Sequence, residues 1–291
     1  MKYAYYPGCT LKSYADNLES SVLAVAEKLG IQMEELPHWT CCGTVFSQAD
    51  DDLVHQIAPL RILLDAQKVG AKKLLVVCSM CYNTLKQASL LFEKKPDKLE
   101  TLNLFLDDED DYLGEVEVVH FLQVLRDEVG IEEIAKQVVR PLTGLNVAPY
   151  YGCLLLRPQE VAFDEPERPT VIEEILVALG AEAIMDPLKV ECCGSYQTVN
   201  NKEIIADRTR TIINSARSRG AEMIALDCPL CDFNLDFRQK ESEKKYTDFF
   251  TMPILYYTQL MALAMGINGD IYGFDKHYVD PRPLLKEYEL I

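Results

Sequence analysis

The chain has 291 residues, 48% of them hydrophobic and 26% charged, the balance of a soluble globular protein long enough for two cores. A formal net charge of −17 excludes nucleic acid as a partner, because a phosphate backbone needs a basic footprint, and it disfavours anionic membrane surfaces. The acidity is even, about −9 for residues 1–144 and about −8 for residues 145–291, so neither half carries an acidic tail.

In chain order, the opening MKYAYYPGCT has no apolar core of signal-peptide type, and KYAYYP reads as a strand closed by Cys9. NLESSVLAVAEKLG has helical apolar spacing and ends at Gly30, a suitable left-handed residue after a helix. A second helix is expected over about 49–69, led in by SQADDD, whose acids favour a helix N-terminus. KKLLVVC reads as a buried parallel strand closed by Cys78, and YNTLKQASLLFEK after CSMC as a helix. DDEDD at 107–111 is expected to be an exposed loop, and EVEVVHF a further strand. Past RPLTGLN at 140–146 the sequence begins again. NVAPYYG, a helix near 170–179, a helix near 201–219, EMIALDC and PILYY follow in the same order. MPILYYTQLMALAMGI is short and carries Thr258 and Gln259, which fits a buried strand running into a helix rather than a membrane span. Its YYTQLMALAM part is expected to be core, not a quinone pocket. A cytoplasmic protein is expected.

Alternation of strands and helices implies parallel sheets with helices on both faces. The expected architecture is α/β, two tandem Rossmann-like domains related by internal duplication, divided as 1–144 and 145–291. The ten cysteines carry the duplication. Cys9, Cys41, Cys42, Cys78 and Cys81 are spaced C-x31-CC-x35-C-x2-C, and Cys153, Cys192, Cys193, Cys228 and Cys231 are spaced C-x38-CC-x34-C-x2-C. The flanks repeat with them: YYPGC answers PYYGC, and VGAKKLLVVCSMC answers RGAEMIALDCPLC. Cys9, Cys78, Cys153 and Cys228 are each expected to close a strand, and ligands in open α/β sheets gather outside the strands' carboxyl ends.

In a reducing compartment such cysteines point to metal or catalysis rather than disulfides. Adjacent cysteines are poorly placed to bridge each other, so TCCG and ECCG need a loop that turns both sulfurs one way. Gly43 and Gly194 permit it, since glycine accepts positive φ. Structural zinc takes four ligands, commonly from paired C-x-x-C knuckles, and a cubane iron cluster often uses a compact C-x2-C-x2-C run. Each half has five cysteines and a single C-x2-C. Such a set fits an iron–sulfur cluster with a bridging thiolate or a non-cubane shape. Zinc, disulfides and buried unliganded thiols remain the alternatives. No dinucleotide-binding glycine fingerprint or haem-attachment sequence is present, so no flavin or nicotinamide is expected on this chain.

These paired motifs resemble the cysteine-rich CCG-domain family, and over nearly the whole length, GFDKHYVDPRPLL included, they are similar to the catalytic B subunits of CoB–CoM heterodisulfide reductases of methanogens. The resemblance implies two non-cubane [4Fe-4S] clusters, one held by Cys9, Cys41, Cys42, Cys78 and Cys81 and one by Cys153, Cys192, Cys193, Cys228 and Cys231. It implies reduction of the heterodisulfide CoM-S-S-CoB, lying between the clusters, to two thiols. The implied partners within a heterodisulfide reductase are the ferredoxin-like iron–sulfur protein (its C component) and the flavin-containing, electron-bifurcating protein (its A component), with hydrogenase or formate dehydrogenase further off. Related domains also serve a thiol-dependent fumarate reductase, quinone-linked complexes, and lactate or glycolate oxidoreductases, where such a chain would transfer electrons.

Lys12 and Arg157, close behind the first cysteine of each motif, are candidates for the anionic ends of the coenzymes. Relatives often carry a polar residue, commonly histidine, after the first cysteine of the second motif. Leu154 stands there, so solvent is expected to supply protons. His38 and His120 read as structural, His55 as surface, and His277 as the histidine best placed for a local role.

Overall fold

The apolar runs form two four-stranded sheets in the computed structural model, which describes residues 1–44, 53–107 and 109–291. The first sheet contains β1 (Lys2–Tyr6), β2 (Gln32–Glu35), β3 (Lys73–Val76) and β4 (Glu117–His120) in the order β2-β1-β3-β4, all parallel. The second contains β5 (Asn146–Tyr150), β6 (Glu182–Ala183), β7 (Met223–Leu226) and β8 (Ile254–Tyr256) in the order β6-β5-β7-β8, again all parallel. The identical order is the tandem duplication in three dimensions, and the fold is α/β as the alternation implied.

Helix α1 (Asp16–Lys28) carries the chain from β1 to β2 on one side, and α2 (Ile57–Lys68) returns it to β3 on the other side of β1. The direction of winding therefore reverses between β1 and β3. The crevice at their carboxyl ends is the place such sheets reserve for ligands. Helix α3 (Ser79–Lys94) starts there, and α4 (Pro96–Phe105) follows it. In the second half α5 (Val171–Ala178) precedes β6, α6 (Lys202–Ser218) precedes β7, and the reversal falls between β5 and β7.

Leu74, Leu75 and Val76 are fully buried because helices cover both faces of a central parallel strand. The sequence pattern missed β2 and β6, since QMEE and EA are short, polar edge strands without apolar alternation. It also missed α4 and the short helices Ile131–Lys136 and Arg282–Glu287. The helix expected over 49–69 opens, within the described residues, as a 3-10 turn Leu53–Gln56 before α2, and positions 49–52 lie outside them. His55 in that turn is half-buried rather than on the surface, because the turn packs against neighbouring helices. As expected, β8 runs directly into α7 (Tyr257–Ala264), whose residues are all core. No helix of the described residues is long and apolar enough to cross a membrane.

Buried polar contacts join the halves. Helix α7 packs on α1, with Ser21 Oγ 2.7 Å from Thr258 Oγ1. Tyr82 donates its hydroxyl to the carbonyl of Val161 at 2.8 Å, and Asn83 Nδ2 donates to the carbonyls of Leu154 and Arg157 at 2.6 and 2.7 Å. His277 Nε2 stands 3.0 Å from Gln259 Nε2 and 3.3 Å from Asn17 Nδ2. Gln259 Oε1 accepts from the Tyr256 N–H, so its NH2 faces the ring and Nε2 of His277 is the acceptor. Removing the centre of a sheet should be costly: Leu75→Ala is expected to lower unfolding free energy by about 2–5 kcal/mol, read from the midpoint and slope of urea unfolding.

Candidate metal centre: two five-cysteine groups

Each group is assembled around a glycine. Gly8 has φ +72°, and a Cβ there would lie 2.9 Å from the sulfur of Cys81; Gly152 has φ +66°, with the sulfur of Cys231 3.0 Å away. A side chain at either place would collide with sulfur as well as strain the backbone, so the turn bearing Cys9 or Cys153 can lie directly on the C-x2-C segment. The cysteines expected to close strands stand just beyond them. Cys9 is in the helical turn Gly8–Leu11, Cys153 is three residues past β5, and Cys78 and Cys228 are two past β3 and β7. The reason is that strand pairing stops before the chain can turn its sulfurs inward. Cys78 is the N-cap of α3, and Cys228 the N-cap of the turn Pro229–Asp232.

The CCG loops are held from the strands. Tyr6 donates its hydroxyl to the Thr40 carbonyl at 2.8 Å, and Tyr150 donates to the Glu191 carbonyl at 2.6 Å. In both halves, then, a tyrosine three residues before the first cysteine clamps the residue before the cysteine pair. Sequence reasoning did not single out these tyrosines, although YYPGC and PYYGC repeat them in register. In the second half Arg208 adds Nε and Nη2 bonds to the Cys192 carbonyl at 3.1 and 2.9 Å. In the first, Thr44 Oγ1 meets Thr84 Oγ1 at 2.5 Å.

The five sulfurs of each half form an unbroken series. Cys9 Sγ is 3.8 Å from Cys41 Sγ and Cys42 Sγ is 3.5 Å from Cys81 Sγ, while Cys41 contacts Cys42 and Cys81 contacts Cys78. In the second half Cys153 contacts Cys192, Cys192 contacts Cys193, Cys193 contacts Cys231, and Cys231 contacts Cys228. All ten are free thiols; Cys9 and Cys41 are exposed, whereas Cys42, Cys78, Cys81, Cys193, Cys228 and Cys231 are buried.

The proton distribution is uneven within each series. Hydrogen bonds from Cys41 and Cys81 pull Cys42 down to about 3, against the cost of burial. Hydrogen bonds from Cys153 and Cys193, with backbone N–H groups of Gly194 and Ser195, pull Cys192 down to about 2. The neighbours move the other way: Cys41, Cys81 and Cys153 are raised chiefly by hydrogen bonds to Cys42 or Cys192, Cys231 chiefly by its hydrogen bond to Cys193, and Cys193 is pushed up to about 12 by Cys192.

A cavity of about 720 Å³ lies between the halves. Thr10, Tyr14 and Met80 line it from the first half, and Pro229, Leu230, Asp232, Phe233, Asp236, Phe237 and Tyr256 from the second. Its walls are thus the sequence neighbours of Cys9, Cys81, Cys228 and Cys231. Burial pushes Asp236 up to about 7, and its oxygens accept the N–H groups of Tyr278 and Val279 at 2.5 and 3.1 Å. Burial holds His277, behind these acids, down at about 4. Lys276 lines the cavity and pairs with Asp16.

The remaining candidates are dispersed. Lys12 pairs with Glu19 and Glu35, each at 2.7 Å, and Arg157 reaches Glu167 at 3.5 Å; neither lines the cavity. His38 is exposed. His120 is fully buried, with Nε2 2.8 Å from the Val77 carbonyl. Leu154 is half-buried against the core.

The donor set fits an iron–sulfur group. It is all thiol, in one contiguous series per half, and exceeds the four ligands of a zinc tetrahedron. Among the described residues no group of three or more His, Cys, Asp or Glu stands as a preformed single-ion site.

Two duplicated α/β units, each gathering a C…CC…C-x2-C set at its switch point, define a class. The cysteine-rich (CCG) domain model matches residues 3–86 and 147–236, and the chain belongs to that family. Its relatives are full-length matches. The 8-methylmenaquinol:fumarate reductase membrane anchor subunit of Wolinella succinogenes is 32% identical over 285 residues, covering 97% of this chain and 99% of that protein. The B subunit of the ferredoxin:CoB-CoM heterodisulfide reductase of Methanosarcina mazei is 27% identical, with 99% and 98% covered. A protein of Archaeoglobus profundus described as like the heterodisulfide reductase B subunit is 28% identical, with 93% and 92% covered. Among solved structures, a hypothetical protein from Helicobacter pylori shares the fold, with a TM-score of 0.74 and 15% identity over 95% of this chain. This chain spans about half (51%) of that one.

Tyr150→Phe is expected to lower unfolding free energy by about 0.5–1.5 kcal/mol for the lost hydrogen bond. Gly152→Ala should cost more, with about 1–3 kcal/mol from the backbone alone. Urea unfolding of the two variants beside the parent checks both.

Proposed function

We propose that this chain is the B-type component of a heterodisulfide-reductase-like complex, with units 1–144 and 145–291 each holding a non-cubane [4Fe-4S] cluster through its own five cysteines. What carries the reading is the cavity between two complete sets of sulfurs. When bound, each cluster supplies or accepts one electron, so two clusters match the two electrons of a disulfide and avoid a free thiyl radical. The chain's own residues contribute the rest. Tyr6 and Tyr150 fix the CC loops, Gly8 and Gly152 let the turn of the first cysteine lie on the C-x2-C segment, and Met80, Leu230 and Phe233 give the space between the groups apolar walls. The substrate is CoM-S-S-CoB or a disulfide like it. Electrons come from a ferredoxin-like C-type partner fed by a flavin-containing A-type partner, with hydrogenase or formate dehydrogenase behind them, in a cytoplasmic complex.

A second reading, oxidation of a quinol for fumarate reduction in another complex, is favoured by the apolar and acidic walls of the cavity. Its one lining cation among the described residues, Lys276, is already paired, an arrangement ill suited to sulfonate and phosphate groups. The name of the Wolinella succinogenes relative agrees with this reading.

Anaerobic purification with iron and sulfide analysis tests the clusters: iron and sulfide together are expected, and zinc without iron would refute them. Cys42→Ala and Cys193→Ala should each lose about half of the iron, and a full complement in either contradicts the ligand assignment. Reduced protein should turn over CoM-S-S-CoB with a viologen donor. Failure there, with reduction of the clusters by a methylated menaquinol instead, would establish the second reading.

A further inference from the structure

The two cysteine groups are joined by a link that the duplication does not explain. Ser79 follows Cys78 at the start of α3, and Asp227 precedes Cys228 just beyond β7. Ser79 Oγ donates to Asp227 Oδ2, and both residues are fully buried. The same carboxylate oxygen lies 3.3 Å from His120 Nε2. His120 Nδ1 accepts the Leu122 N–H at 3.2 Å, so the ring hydrogen is on Nε2, shared between Asp227 and the Val77 carbonyl at 2.8 Å. Both sequence neighbours of Cys78, Val77 and Ser79, therefore meet the residue before Cys228 in one buried polar cluster.

Pseudo-symmetry makes this arrangement conspicuous. The residue matching Asp227 in the first half is Val77, and the residue matching Ser79 in the second is Pro229, so the link has no counterpart with the halves exchanged. A buried carboxylate is costly unless hydrogen-bonded. Asp227 Oδ1 has no hydrogen-bond partner among the described residues, so the carboxylate is held by its Oδ2 bonds alone. Its packing role alone would be met by an apolar residue, as Val77 meets it in the first half.

We propose that the Ser79–Asp227 hydrogen bond couples the redox states of the two cysteine groups and is the route of electron exchange between them. One peptide bond joins Cys78 to Ser79 and one joins Asp227 to Cys228, so a single hydrogen bond completes a bonded path from sulfur to sulfur. With an iron–sulfur cluster held in each group the exchange would be a one-electron step, one cluster oxidised as the other is reduced, with no bond made or broken and no proton moved. Either substrate named above requires two electrons, and each group once loaded would hold one, so a path between the groups would let both be filled through either half. The inference rests on the iron–sulfur reading of the two groups.

The test uses the full chain, purified anaerobically, with iron and sulfide measured and each group's midpoint potential followed by its paramagnetic signal. The signals are assigned with the Cys42→Ala and Cys193→Ala variants. Ser79→Ala should shift the potential of the second half's group, although Ser79 belongs to the first, and should weaken the through-bond exchange part of the magnetic interaction between the two reduced groups, leaving the through-space part. Asp227→Asn, which changes the acceptor of the Ser79 hydrogen bond beside both groups, should move both potentials. Iron retained with Ser79→Ala moving only the first group's potential, or Asp227→Asn only the second's, overturns the coupling and leaves the cluster assignment standing. A parent chain without iron overturns both. Ser79→Ala removes a single hydroxyl and decides the matter if the Asp227 variant does not fold.

Discussion

Everything at the two centres depends on a bare backbone lying against a sulfur. Gly8 and Gly152 present no side chain to Cys81 and Cys231, where an added Cβ would lie 2.9 and 3.0 Å from the sulfur, and this closeness lets the turn bearing the first cysteine of each half lie on the C-x2-C segment. The sheets supply the stage. Winding reverses between β1 and β3, and between β5 and β7, so the segments that carry these residues leave their strands side by side. The tyrosine three residues before each first cysteine then sets the height of the CC loop through one carbonyl. Topology, close approach and a phenolic hydrogen bond are nested, each usable only because the one before it holds.

The halves keep this frame in common and differ in what surrounds it. Two sulfurs of the first group, Cys9 and Cys41, are exposed, while their counterparts Cys153 and Cys192 are half-buried. Arg208 supports the second CC loop from α6, with Thr44 and Thr84 in the corresponding region of the first. The duplicated cysteine sets therefore sit in unequal surroundings.

Much of this was legible in the sequence, for a physical reason. Cysteines cannot be exchanged freely, so their spacing survives as a readable register, and buried parallel strands such as KLLV and MIAL announce themselves as apolar runs. The edge strands β2 and β6 were not legible, because an edge strand of two to four polar residues is defined by its neighbour's hydrogen bonds rather than its own pattern. Cavity walls were illegible for a related reason: Phe233, Phe237 and Asp236 resemble any amphipathic segment until Tyr14 and Met80 of the other half are brought opposite them. Lys12 and Arg157 carry charge close in sequence to a cysteine, yet local carboxylates engage both. Tyr6 and Tyr150 were available in the repeat itself and went unread because a tyrosine near a strand end has an ordinary hydrophobic explanation.

The contacts across the seam bear on ancestry. A gene encoding one such unit would have made a two-fold symmetric dimer, in which every contact occurs twice. Asn83 reaching the Leu154 and Arg157 carbonyls, and Tyr82 reaching the Val161 carbonyl, occur once among the described residues. After fusion the interface was free to specialise, one copy of each surface becoming donor and the other acceptor. The two units therefore meet through unlike surfaces, with Tyr82 and Asn83 as donors on one side and backbone carbonyls as acceptors on the other.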